Sequence, residues 1–141
     1  MNDEPMKNPV RTFSDEYDEK IAPKLQQIDM LLKLGEFPLK ISQVSKVLDL
    51  SNDEIVNIAE KFVLSEFDKA FFFIIMQNGT SNICRLLARE LDRGSPQFYK
   101  ASDVAYIYGI ELDTVEKAFR KLAITETAQS GLYEIFANIG V

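Results

Sequence analysis

Histidine is absent from this 141-residue chain, and cysteine occurs once, as Cys84. The first absence removes the commonest general base and every metal site that needs an imidazole. The second removes any internal disulfide, which fits a reducing compartment, and Cys84 has no histidine to activate it. No apolar run reaches the ~20 residues of a membrane span. The opening Met1-Asn2-Asp3-Glu4-Pro5 has neither the basic nor the apolar segment of a secretory signal. The expectation is a cytoplasmic chain with no membrane partner. No glycine-rich phosphate loop is built from the six glycines, so no cofactor is called for. Carboxylate neighbours such as Asp53-Glu54 read as helix caps, and the composition points away from an enzyme.

Positive charge is also scarce. The formal net charge is −6, with 16 Lys and Arg against 22 Asp and Glu. Affinity for DNA is largely phosphate neutralisation, so this balance opposes simple nucleic-acid binding. The charge is uneven, however. Residues 1–79 carry −5, residues 80–124 carry +1, and four of the five arginines (Arg85, Arg89, Arg93, Arg120) fall in that middle window.

What remains is a helical pattern. Residues 1–17 are polar, hold Pro5 and Pro9, lack periodicity and read as a mobile tail. From Asp18 to Leu34 the residues Ile21, Leu25, Ile28 and Leu32 recur at helical spacing, and Gly35 stops the helix. Residues 41–49 form the next helix. Ser51 then caps another that carries Ile55, Ile58, Ala59 and Phe62. The run Phe71–Met76 is read as helix, because Ser65-x-x-Asp68 resembles a cap and Asn78-Gly79 a stop. Its apolarity requires burial, either between the two halves of the chain or in a homodimer interface. Helices over 80–93, 101–108 and 112–122 follow. Residues 123–137 remain open between helix and strand, with a wing-like hairpin around Ser130-Gly131 as the alternative.

Residues 101–122 carry the most informative spacing. Small Ala105 directly follows apolar Val104, Gly109 comes four residues later, and Ile110 and Val115 complete the pattern. Small side chains let two short helices cross closely, and the glycine tolerates the positive φ of a tight turn. The segment resembles the DNA-binding helix-turn-helix superfamily. Sixty residues upstream a weaker copy repeats it. Lys40, Ser42, Val44, Asp53, Lys61, Glu66, Ile75 and Asn78 meet identical residues at 100, 102, 104, 113, 121, 126, 135 and 138. A one-residue gap extends the match by setting Leu25, Ile28, Leu32 and Gly35 on Cys84, Leu87, Leu91 and Gly94. The expected fold is all-α: two tandem helix-turn-helix-like repeats, 18–79 and 80–141, packed together.

The resemblance implies a recognition helix in each copy. In the second, the outward residues are Asp113, Thr114, Glu116, Lys117, Arg120 and Lys121. Thr114 would lie nearest a base edge, with Lys117, Arg120 and Lys121 near phosphates. Tyr106 is a further surface candidate, whereas Tyr108, Phe119 and Cys84 read as core. Arg85, Arg89 and Arg93, spaced i, i+4, i+8, form one auxiliary basic face. The first copy shows Asn52, Asp53, Glu54, Asn57, Glu60 and Lys61, an acidic surface suited to structure or to protein contact. Two functions are carried forward. One is a small regulatory protein that binds double-stranded DNA through the second copy. The other is a protein-interaction module on the same scaffold.

Overall fold

The computed structural model describes residues 11–141. From Phe13 to Leu34 the chain is helical throughout, as α1 (Phe13–Glu16), a π-helical turn (Tyr17–Ile21) and α2 (Ala22–Leu34). Pro23 explains the π turn. It has no N–H, and in a regular helix its ring would strike the carbonyl four residues back. The wider turn, in which the Ala22 N–H reaches the Tyr17 carbonyl, relieves that clash.

Residues 11–17 are therefore a correction to the tail predicted for 1–17, of which 1–10 lie outside the described residues. Thr12 bridges to Gly140, and the Phe13 N–H donates to the Ile139 carbonyl at 2.8 Å. The Phe13 ring meets Phe136 edge-on at 4.9 Å, with Tyr17 beside it. Local polarity cannot register an anchor supplied by the far end of the chain.

Then comes α3 (Ile41–Leu48), α4 (Asn52–Lys61) and α5 (Lys69–Asn78). The second half runs α6 (Asn82–Asp92), β1 (Phe98–Tyr99), α7 (Ala101–Tyr108) and α8 (Leu112–Lys121). It ends with β2 (Thr127–Ala128), a 3-10 turn and α9 (Leu132–Ala137). The bounds of α7 and α8 are those of α3 and α4 shifted by sixty. Finer geometry keeps the same shift. Asp49 and Gly109 adopt φ of 55° and 67°, and Val63 and Ala123 both adopt 56°. The Leu39 N–H bonds the Phe67 carbonyl at 2.8 Å, at the positions where β1 and β2 pair Tyr99 with Thr127. The all-α class is as expected, and among the described residues it is joined by one small antiparallel strand pair, which links β1 to β2 and is not a hairpin around Ser130-Gly131. Ser130 and Gly131 lie in the 3-10 turn that leads into α9.

Two expectations shift. α5 starts at Lys69, not Ser65, because Asp68 is the residue whose carboxylate accepts the Phe71 N–H, at 2.9 Å. The one-residue-gap register does not hold at the helix ends: Gly35 is extended, whereas Gly94 has φ of 74°. Leu91, placed on the apolar stripe, is an exposed side chain.

Two apolar clusters form the core. The first gathers Val44, Leu48, Ile55, Phe72 and Ile75, and the second Val104, Ile107, Val115, Phe119 and Phe136. Helix α6 joins them. Ile83 and Cys84 enter the first cluster, Leu86 enters the second, and Leu87 packs against both. Within Phe71–Met76, Phe72, Ile75 and Met76 are buried, and Phe73 is exposed. Only Gly79, Thr80 and Ser81 separate α5 from α6. The Ser81 hydroxyl donates to the Leu48 carbonyl at 2.6 Å, and Glu54 accepts from the Thr80 N–H at 2.8 Å. No helix among the described residues is long and apolar enough to cross a membrane.

Candidate interaction surfaces

The helix pair α7–α8 is built by capping at each end. The Asp103 carboxylate accepts the Lys100 N–H at 2.9 Å, and Gly109 turns the chain in the left-handed region. At the end of α8 the Ala123 N–H bonds Arg120 O, and the Ile124 N–H bonds Phe119 O. These are the paired bonds of a Schellman cap. In α8, Val115, Ala118 and Phe119 are buried, which leaves Asp113, Glu116, Lys117, Arg120 and Lys121 outward.

Those outward residues are unequal. Lys117 pairs with Asp113 at 3.2 Å one turn back, both about 70% exposed. Arg120 and Lys121 have no salt bridge among the described residues. Thr114 is half-buried. It lines a cleft of about 400 Å³ with Phe13, Glu16, Glu111 and the segment Ile139–Val141. The N-terminal end of α8 thus faces a carboxylate-bearing cleft, and its basic residues stand at the other end.

The proposed arginine ridge is not a free surface. Arg89 Nε donates to the Ile107 carbonyl at 2.8 Å. Arg93 pairs with Asp103 at 3.3 Å and lies over the Tyr106 ring at 4.6 Å. The Tyr106 hydroxyl donates to Asp92 at 2.8 Å. These contacts bind α6 to α7, so Arg89, Arg93 and Tyr106 are parts of a helix-helix seam. Arg85 is exposed and, alone of the three, has no such partner among the described residues. Helical spacing could not say that α7 would lie against Arg89 and Arg93.

The first repeat shows a different face. On α4 and its C-terminal cap, Val56 (41% exposed), Phe62 (40%) and Val63 (88%) stand outward, among Asp53, Asn57 and Glu60. The sequence pattern named the acidic residues, missed Val56 and Val63, and set Phe62 on the apolar face with Ile55 and Ile58, whereas as the cap residue it is turned out to 40% exposure. Val56, Glu60 and Val63 follow i, i+4, i+7, the one signal that could have shown them.

A tyrosine-carboxylate cluster was also missed. The Tyr99 hydroxyl donates to Glu90, whose second oxygen is buried without a partner among the described residues. Burial and that bond to Glu90 push the Tyr99 phenol above its ordinary range, and burial does the same to Tyr108. Cys84 is fully buried, and its thiol is raised mainly by desolvation, as its core reading implies. Among the described residues no group of three or more His, Cys, Asp or Glu side chains is placed to hold a metal.

No family model, curated protein or solved structure matches this chain.

Proposed function

We propose that this chain is a non-enzymatic protein-interaction module built on two helix-turn-helix-like repeats, with α4 as its contact helix. The observation that carries this reading is the strained, 88% exposed Val63 beside Phe62 and Val56. Apolar side chains set among acidic ones suit a partner with an apolar centre and a cationic rim.

Charge arithmetic supports the same choice. DNA-binding proteins that make 6–10 phosphate contacts show salt slopes of about −0.9 per contact. The outward face of α8 supplies Lys117, Arg120 and Lys121, so its slope would be no steeper than about −3. Asp113 and Glu116 on the same helix, with Glu111 at its N-cap, oppose that attraction.

The second reading is binding of double-stranded DNA through α8, favoured by Arg120 and Lys121, which have no salt bridge among the described residues. Under it, Lys117→Ala with Arg120→Ala weakens binding to every sequence and reduces the slope by about one unit per lost contact. The equivalent change at Asn57 and Glu60 does little.

The deciding test is a salt titration against a mixed-sequence duplex. The interaction reading expects a dissociation constant weaker than about 100 μM at physiological salt, at or below ordinary non-specific affinity. A protein partner recovered with the native chain must be lost with Val56→Glu plus Val63→Glu, and kept with Lys117→Ala plus Arg120→Ala. Tight, steeply salt-dependent duplex binding that vanishes in the latter variant overturns the interaction reading.

A further inference from the structure

We propose that the groove between α6 and the π-helical turn binds a small organic anion: a phosphate or carboxylate on an apolar body. The groove measures about 630 Å³, inside the roughly 300–1,000 Å³ of small-molecule sites. Both halves of the chain line it. Ile21 and Asp49 come from the first and Tyr108 from the second, with α6 between them. No residue of α4 or α8 takes part, so the proposal does not rest on either contact helix argued above.

The electrostatics select the ligand. Three carboxylates line the groove, and each is already matched. Glu16 is paired with Arg11 at 3.0 Å and Lys20 at 2.8 Å, Glu19 with Arg11 at 2.7 Å, and Asp49 with Lys24 at 2.7 Å. Two arginines one helical turn apart remain on the α6 side. Arg85 has no salt bridge or side-chain hydrogen bond among the described residues, and Arg89 donates there through Nε alone. The guanidinium edges left over are planar double donors, the geometry that phosphate and carboxylate oxygens accept. On a chain of net charge −6, this is a local excess of cation. Phe13, Ile21 and Leu86 beside it supply apolar contact for the ligand's body. Arg89 also holds the Ile107 carbonyl, so an anion at this site touches the residue that fixes the end of α7.

Isothermal titration of the full chain near pH 7 with phenyl phosphate, benzoate and benzyl alcohol tests this. The site predicts that at least one anion binds with a dissociation constant of about 1 mM or tighter, and the alcohol at least about tenfold more weakly. Whichever anion binds better names the head group. Arg85→Ala, an exposed change to the best helix former, should weaken anion binding by about tenfold or more. Asn82→Trp, which fills the groove from an exposed position, should abolish binding while leaving thermal unfolding unchanged. Equal binding of the alcohol, anion binding unaltered by Arg85→Ala, or no heat from either anion at about 10 mM would overturn the proposal.

Discussion

Replacing Val63 by glycine should make this protein more stable. Val63 occupies the position after the cap of α4: its N–H bonds Glu60 O at 3.2 Å, and the Leu64 N–H bonds Ala59 O at 2.8 Å. That is the Schellman pattern, which usually places glycine there because the residue must be left-handed. Val63 does so at φ of 56°. The left-handed region costs an L-residue roughly 1–2 kcal/mol, and a β-branched one is a true outlier there. Glycine removes that cost but loses about 0.5–1 kcal/mol through its freer unfolded chain. At 88% exposure, almost no burial is forfeited. The net gain is about 0.5–1 kcal/mol, or an upward shift of about 2–3 °C for a chain of this size. Urea unfolding with an unchanged m-value measures it. Gly109→Ala is the mirror experiment. Its φ is 67° and an added Cβ meets nothing within 4 Å, so the loss of about 1 kcal/mol is purely conformational. A Val63→Gly variant no more stable than the native chain would refute the strain argument. If α4 is the contact helix, the same variant should bind its partner less well although it is more stable.

Gly79→Ala should destabilise by about 1–3 kcal/mol in urea unfolding, through overpacking. The added Cβ would lie 2.7 Å from Cys84 Sγ and 2.8 Å from Leu50 Cδ1. Stability should hold below pH ~10 and fall above it, because the unfolded tyrosines then ionise while Tyr99 and Tyr108 keep their protons. Their folded-state values are raised, so the stability they contribute is intact below the ordinary value and lost as pH rises through the raised one. Absorbance at high pH should show two tyrosines ionising only with unfolding, and independent titration of all five would contradict it. Cys84, fully buried with a raised thiol, should react with a disulfide reagent at pH 8 only as fast as the chain opens. Rapid labelling of the folded protein would count against its core placement.

The backbone was far more legible than the surface. Bounds of α3, α4, α7 and α8 follow from apolar spacing and the turn at Gly109, since burial of one helix face is a property of nearby residues. The Ser51 cap is equally local, its hydroxyl accepting from the Glu54 N–H at 3.1 Å. What escaped was long-range. The anchoring of Phe13 by Ile139, the docking of Arg89 on Ile107 and the groove all depend on which elements meet. Tyr106 illustrates the limit. The helical wheel rightly placed it away from the core, yet its hydroxyl and ring are engaged by Asp92 and Arg93. Outward on one helix is not the same as free.

The two repeats keep one backbone while reversing the chemistry they display. At inward positions the pairs Ile55/Val115 and Ile58/Ala118 all stay apolar and buried. At outward positions Val56 stands against Glu116, Asn57 against Lys117, Glu60 against Arg120 and Val63 against Ala123, all exposed. A duplicated unit that served one ligand twice would have reason to keep its outward residues alike. The pattern instead suits two different contacts presented from one frame. Because these positions carry no core packing, Asn57→Lys with Glu60→Arg should change stability by no more than about 0.5 kcal/mol. The change moves the face of α4 from acidic to basic, a charge difference of three units. If helix geometry is shared and only charge distinguishes the repeats, α4 should then gain salt-dependent attraction to duplex DNA comparable to that of α8. A stable variant with no such gain would mean that the faces differ in shape as well as charge, and that the equivalence between the repeats stops at the backbone.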